Sequence, residues 1–435
     1  MNGRFNLDAP LWLALAALVC AAGGWLYVQR VLVSHQVTYA AAHGNPRGNL
    51  SDLYPRWIGA QALLLHGRDP YSPEVTREIQ AGYYGRPLDP SRPEDPKDQQ
   101  AFAYPVYVVF YLAPTVHLGF GVVQRSFFWI LVGVTLVSVP LWLRVLSWPV
   151  SPLIQTAMLA LTLGSVPVLQ GLKLQQLTLL VAGMCAVAMA LLVAGRPIAA
   201  GIVLALATVK PQLVLPLLLW LGIWTLGDLK RRYRCAASFL IAMAVLCAAS
   251  EWCLPHWIGR FGHAAGEYWH YTQAVPLLEA VLPYPWGRLL EVLFAAATAL
   301  VCWKRRKQPE ASAAFQSSTC LVMVLTVLTV PTFSLYNQVL LLPAILLIVR
   351  ERRSIWEENV VSRVILIMVA VLLAWPWLSS TVLAGLSFVL PQETVERFWA
   401  IPAWTVPQIP VGVAALMLVH YYRRTFTGTA EARTS

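Results

Sequence analysis

The sequence predicts an all-α polytopic integral membrane protein, and three observations predict it. Apolar residues make up 58% and charged residues 12% of its 435 positions, about half the charge of a soluble domain, with a mean hydropathy of +0.60. The apolar residues form continuous runs and do not alternate with polar ones, as segments in lipid must when each satisfies its own backbone amides. The basic residues behind the net charge of +11 fall in short clusters between those runs: Lys230 to Arg234, Lys304 to Lys307, Arg350 to Arg353, and Arg423 with Arg424. That spacing is the positive-inside pattern of cytoplasmic loops. The expected partner of this charge is therefore the lipid bilayer and no nucleic acid.

Taken in order, the first run, Pro10 to Leu32, is too long for the apolar stretch of a cleaved signal peptide. It reads as a retained first transmembrane helix over residues 10–32, with cleavage near Ala21 as the alternative. Residues 33–102 follow as a long extracytoplasmic loop, and long ordered loops tend to carry function. Within it, WIGAQALLLHGRDPY places Trp57, Ala60, Leu64 and Leu65 near helical spacing, which predicts a helix lying on the membrane surface. The stretch RPLDPSRPEDPKDQQ reads as too polar and Pro-rich to pack. Asp52 stands at the start of the surface helix, where two roles are open: Asp52 or its neighbour Ser51 is an N-cap, or the carboxylate serves chemistry at the membrane face.

The remaining transmembrane helices are expected within residues 103–421. They read as Tyr104 to Phe120, Phe127 to Leu146, Leu153 to Leu169, Leu177 to Val193, Ile198 to Leu226, Ala236 to Cys253, Trp286 to Trp303, Thr319 to Val330, Val339 to Val349, Val364 to Leu386 and Val406 to Tyr421. The run Ile198 to Leu226 is interrupted by Lys210-Pro211, and is either one kinked helix or two half-helices meeting at the lysine. The total is about eleven to thirteen spans in a single domain over residues 1–435, with residues 422–435 as a cytoplasmic tail. Leu254 to Pro285 and Ser387 to Thr405 fall on the outer face. The first of these contains HWIGRFGHAAGEYWHYTQ, whose His256, His263 and His270 mark one face of an interfacial helix.

Several chemistries lack their residues. The seven cysteines lie mostly inside apolar runs without CxxC or Cys/His spacing, so neither a disulfide framework nor a metal site is expected. There is no GxxxxGK[ST], no GxGxxG after a strand and no HExxH, and no cofactor is called for. What remains is a set of polar residues at membrane depth or at its surface, which are costly there and functional by default.

Those residues fall in a recurring order: SDLYPRW at Ser51, HGRDPY at His66 to Tyr71, FAYPVY at Phe102 to Tyr107, QQLTLL at Gln175 to Leu180, GRPIAAGIVLALATVKPQ at Gly195 to Gln212, and SLYNQVLLLPAILLI at Ser334 to Ile348. The series resembles glycosyltransferase family 87, the polyprenol-phosphate-mannose-dependent α-mannosyltransferases of the GT-C fold. That family carries an acidic motif after the first helix, a G-x-D-P-Y turn, a YPP-like start to the second span, a GQxNxLL stretch and a Gly-rich helix ending in Lys-Pro. Asp52 and Lys210 match it unchanged. Gln175 stands where glycine is usual, Thr178 where asparagine is, and Val106 where the second proline is.

The resemblance implies a GT-C-type helical bundle that moves a hexose, mannose in the first instance, from a polyprenyl-phosphate-linked sugar donor to a glycolipid or glycan acceptor. The implied setting is the outer side of a bacterial plasma membrane, and the implied transfer is inverting. Such a transfer needs a base for the acceptor hydroxyl, and Asp52 is the candidate. It needs cations for the departing phosphate, and Lys210, Lys173, Arg56 and Arg260 are the candidates. Gln176, Thr178, Tyr104, Tyr336, Asn337 and Gln338 can hydrogen-bond sugar hydroxyls. Each also has a plainer role open to it: Lys210 as a snorkelling lysine at a helix break, the amides as glue between helices, Asp69 as the turn residue before Pro70. Two other classes of function stay open. A secondary transporter would show a second broken helix matching the one at Lys210, which the sequence lacks, and a non-catalytic scaffold is compatible with the substituted motifs.

Overall fold

The computed structural model describes residues 8–42, 51–89, 91–93, 95–331 and 334–422, and among the described residues every regular element is a helix. The chain is a multi-pass membrane protein. Among the described residues six helices are long and apolar enough to cross a bilayer: Ala9–Ala42, Phe120–Val145, Leu229–Cys253, Trp286–Arg305, Val360–Leu386 and Gln392–Tyr421. The bent pair Pro152–Leu163 with Val166–Lys173, counted as one span, makes a seventh. Four shorter apolar helices sit where the hydropathy pattern also predicts spans: Leu177–Val193, Pro197–Ala207, Pro211–Gly227 and Ala313–Thr329. Arg423, Arg424 and the expected tail beyond residue 422 lie outside the described residues.

Helix α1 (Asp8–Tyr27) continues through a π-turn at Val28–Leu32 into α2 (Val33–Ala42), so the first span does not stop at Leu32. The loop that follows is more ordered than its composition suggests. In α3 (Leu53–His66) the buried stripe is Leu53, Trp57, Ala60 and Leu63, at helical spacing, while Leu65 faces outward. Helix α4 (Pro73–Tyr84) was not expected; it starts where the Ser72 hydroxyl accepts from Val75 N at 3.3 Å and Pro73 takes the first position. The polar stretch after it packs, against expectation, by mutual satisfaction of its own groups. Arg86 forms a bidentate ion pair with Asp95, Gln80 Nε2 donates to Gln99 O (3.1 Å), and Tyr84 OH donates to Asp98 O (2.8 Å).

The run Tyr104 to Phe120 is not a continuous helix. It holds only α5 (Val108–Leu112) and a 3₁₀ turn at Ala113–Thr115, because Pro105 and Pro114 remove backbone donors at both ends. Then come α6 (Phe120–Val145), α7 (Pro152–Leu163) and α8 (Val166–Lys173) bent by 57°, α9 (Leu177–Val193), α10 (Pro197–Ala207), α11 (Pro211–Gly227) and α12 (Leu229–Cys253). The second half adds α13 (Trp257–Thr272), α14 (Leu277–Val281), α15 (Trp286–Arg305) and α16 (Ala313–Thr329). A 3₁₀ segment at Leu335–Leu341 leads into α17 (Leu342–Glu358), followed by α18 (Val360–Leu386), α19 (Gln392–Glu396) and α20 (Gln408–Met417).

The three basic clusters among the described residues meet at one end of the bundle. Arg232, at the start of α12, donates to the carbonyls of Trp224 and Arg306, each at 2.6 Å, and of Gln308 at 2.9 Å. Arg305 donates to Ser317 Oγ (2.7 Å) and Tyr421 O (3.2 Å), and Arg350 to Gln316 Oε1 (3.2 Å) and Leu146 O. The ends of α6, α11 and α15, the starts of α12 and α16, and the chain after α20 therefore lie together. The opposite end gathers the start of α6, where Phe120 packs on Tyr54 of α3.

This geometry decides the interrupted run. Helix α10 ascends beside α12, with Gly201 against Cys235 and Ser238 and Thr208 Oγ1 3.4 Å from Met243 Sδ. Helix α11 descends again to the basic end, where Trp224 Nε1 donates to Gln308 O at 2.9 Å. The chain therefore reverses at Thr208–Lys210, giving two helices with the lysine at their apex. Pro211 supports the reversal by keeping Lys210 out of helical dihedrals (φ −123°, ψ 79°) and by taking the first position of α11, where its missing N–H is no loss. The last carbonyls of α10, which have no helical partners, are met by two tyrosines: Tyr107 OH donates to Thr208 O (3.0 Å) and Tyr111 OH to Leu206 O (2.7 Å).

Candidate active site

A cavity of about 600 Å³ opens at the end of the bundle away from the basic clusters. Asp52, Arg56, Tyr104, Gln176, Lys210, Tyr336 and Asn337 all line it. They arrive on five stretches of backbone: Asp52 and Arg56 at the start of α3, Tyr104 before α5, Gln176 just before α9, Lys210 at the turn between α10 and α11, and Tyr336 with Asn337 on the 3₁₀ segment. Ser51 and Asp52 are pinned by bonds from Asp52 N (3.0 Å) and Ser51 Oγ (3.2 Å) to Leu174 O, just before α9. The capping role at α3 falls to Ser51, whose Oγ accepts from Leu53 N at 3.1 Å. Asp52 makes no cap, and its carboxylate is free to turn into the cavity.

There the carboxylate accepts from Gln176 Nε2, and Tyr83 OH stands 3.5 Å from Oδ1. Gln176 Oε1 in turn accepts from Lys210 Nζ at 2.9 Å, so one amide bridges the acid and the base. Lys210 Nζ also donates to Thr178 Oγ1 (2.8 Å), and Thr178 Oγ1 donates to Asn337 Oδ1 (3.2 Å). The ammonium lies 5.1 Å from the Tyr336 ring centre and 5.8 Å from that of Tyr104, and the Arg56 guanidinium sits 4.3 Å over the Tyr104 ring, both favourable cation–π placements. Lys210 is thus a bonded, buried cation and not a snorkelling one. Burial holds the Asp52 carboxyl above its usual range, while Arg56, Lys210, the Gln176 bond and Lys173 pull the other way.

The substituted positions have local explanations. Gln175 has φ +48°, the left-handed region that favours glycine, and its side chain offsets the strain by donating to Leu172 O (2.5 Å) and Lys173 O (3.1 Å) at the end of α8. Thr178 is fully buried and reaches the site only through Lys210 and Asn337. Asp69 is the turn residue its motif suggests, accepting from Tyr71 N at 2.9 Å, and Tyr71 OH then donates to Tyr104 O (2.6 Å) to hold that ring over the cavity.

Besides Thr178, three expected site residues do not line the cavity, and their placement is corrected accordingly. Lys173 bonds Gln36 of α2, so it adds charge near Asp52 from behind and does not line the cavity. Arg260 pairs with Asp69 on the partly exposed outer side of α13. Gln338 points the other way along the 3₁₀ segment, donating to Val406 O at 2.8 Å and lining a separate apolar cavity of about 480 Å³. His256, His263 and His270 are all exposed.

Other lining residues were not anticipated: Asp98, Gln100, Thr208, Gln212, Phe261, Tyr268 and Trp269. Asp98 and Gln100 belong to the stretch that composition marked as unable to pack. Tyr268 and Trp269 belong to α13, whose pattern of Trp257, Phe261, Ala265 and Tyr268 at helical spacing was the available signal.

The family model of glycosyltransferase family 87 matches residues 102–331. Asp52 and Arg56 precede the matched stretch and Tyr336 and Asn337 follow it, while Tyr104, Gln176 and Lys210 fall inside. Neither curated proteins nor solved structures yield a match to the chain. The matched stretch is more than half the chain, and with it the protein belongs to glycosyltransferase family 87.

Proposed function

We propose that this glycosyltransferase moves a hexose, mannose in the first instance, from a polyprenyl-phosphate donor to a glycolipid or cell-envelope glycan, with inversion, as a GT-C-type enzyme of a bacterial plasma membrane. The observation that carries the reading is the pairing in one cavity of a half-buried carboxylate, Asp52, with a buried ammonium, Lys210, through the single amide of Gln176. A carboxylate held above its usual range is a competent proton acceptor. The acceptor hydroxyl gives its proton to Asp52 as its oxygen bonds to the anomeric carbon. The bond from that carbon to the phosphate oxygen breaks, and its electron pair leaves with the polyprenyl phosphate. Lys210 and Arg56 meet the charge that builds there, an interaction stronger in the transition state than in the ground state.

An extracytoplasmic site is supported by the three described basic clusters, which gather at the end of the bundle opposite the cavity. Helix α11, of 17 residues, separates Lys210 from that basic end by roughly 25 Å.

The test is turnover in proteoliposomes supplied with polyprenyl-phosphate mannose. Wild-type protein is expected to release polyprenyl phosphate and form an α-linked product from the β-linked donor. A β-linked product would overturn the inverting mechanism, and turnover by Asp52→Asn at the wild-type rate would overturn the base.

A further inference from the structure

A second polar wall of the cavity takes no part in the Asp52–Gln176–Lys210 network. The loop after α4 ends in Asp98-Gln99-Gln100, and Gln100 adopts φ +51°, unusual for a residue with a side chain. That turn brings both donors of Gln100 onto one carboxylate: its backbone N–H reaches Asp98 Oδ1 at 3.0 Å and its Nε2 reaches Oδ2 at 2.8 Å. The main chain is fixed from α4 by Tyr84 and Gln80. Among the described residues no ion pair reaches Asp98. Each carboxylate oxygen accepts one bond and keeps a further lone pair. Across from it α13 brings Tyr268 and Trp269 to the lining, and the next turn carries the buried Tyr271 hydroxyl, which has no hydrogen-bond partner.

The charges sort the two substrates. A lipid phosphate is attracted by Arg56 and Lys210 and repelled by Asp98. A neutral sugar suffers no such repulsion, and two adjacent hydroxyls match the two open lone pairs of a carboxylate held in a fixed orientation. Aromatic rings beside it offer the apolar face that a pyranose also needs. On this basis we infer that Asp98, oriented by Gln100 and faced by Tyr268, is the acceptor subsite, and that it selects a neutral sugar with adjacent free hydroxyls over an anionic one. The inference rests on the transferase reading above and adds to it the substrate class of the second site.

The experiment uses the full-length protein in nanodiscs and reads equilibrium binding of octyl mannoside and octyl mannuronide, beside release of polyprenyl phosphate to water with no acceptor present. Wild-type protein is expected to bind the neutral glycoside at least about tenfold more tightly than the uronide, the scale of a charge-assisted hydrogen bond. Asp98→Asn should weaken the neutral glycoside by about tenfold and erase the discrimination. Tyr268→Phe, which removes one oxygen and leaves the ring, should weaken the same binding without altering the discrimination. Unchanged discrimination in Asp98→Asn, or equal binding of the two glycosides by wild type, overturns the subsite. Discrimination that depends on Asp98 in a protein that never turns over the lipid donor supports the subsite and overturns the donor assignment instead.

Discussion

Asp52 and Lys210 share one amide: Gln176 donates from its nitrogen to the carboxylate and accepts at its oxygen from the ammonium 2.9 Å away. The bridge fixes which face each group presents and couples their charges without letting them collapse into a direct ion pair. It rests on the reversal at Thr208–Lys210 and on the pinning of Asp52 to Leu174. Neither can be moved without moving the other.

Asp52→Asn keeps an acceptor for the Gln176 bond but removes the proton acceptor. Insertion and thermal stability should be close to wild type while turnover falls by about 10²–10⁴-fold, the usual scale of general-base loss. Radiolabelled sugar transfer in proteoliposomes, beside a monodispersity check, measures both.

Lys210→Met removes the cation and leaves Gln176 Oε1 and Thr178 Oγ1 without their donor. Turnover should fall by about 10²–10³-fold if the ammonium meets charge that develops on the leaving phosphate. A loss confined to the donor KM, with kcat unchanged, would instead assign Lys210 to ground-state binding, and steady-state kinetics distinguishes the two.

The pH profile follows from the Asp52 environment. Burial raises its carboxyl above the ordinary 3.8, and the nearby cations oppose that rise. A base must be ionised, so the rate is full above this pKa and falls as pH drops through it. The acid limb of kcat/KM should therefore lie above the usual aspartate range. In Lys210→Gln, where one opposing charge is gone, the limb should move to still higher pH. A limb that moves down in the variant contradicts the assignment.

Packing of α10 on α12 is testable apart from chemistry. A methyl group at Gly201 would come within 2.3 Å of the Cys235 carbonyl oxygen, whereas Gly133 has open space. Gly201→Ala should cost about 1–3 kcal/mol by overpacking and displace α10 from α12. Gly133→Ala should be neutral or stabilising by about 0.4–1 kcal/mol. Thermal unfolding in detergent reads the difference.

Arg260 serves as a control, since its pair with Asp69 is part-exposed and outside the cavity. Arg260→Ala should leave transfer within about twofold of wild type, as exposed pairs contribute about 0–1 kcal/mol. A loss comparable to that of Lys210→Met would return Arg260 to the site.

What the sequence determined by itself is what continuous chemistry along the chain can encode. Apolar runs long enough for lipid, basic clusters between them, the proline after Lys210 and the acidic residue after the first span all act over a few neighbouring positions, and each is readable there. The tertiary structure alone decided that the run around Lys210 doubles back, since a proline permits a kink and a reversal alike, and only the packing of α10 on α12 and of α11 toward Arg306 chooses between them. It also decided that Arg260 and Gln338 face away from the cavity while Asp98 and Tyr268 face in. A polar side chain on a loop or a short helix carries no local sign of its direction; that is set by partners such as Asp69, Val406 and Gln100, whose proximity is a property of the folded bundle.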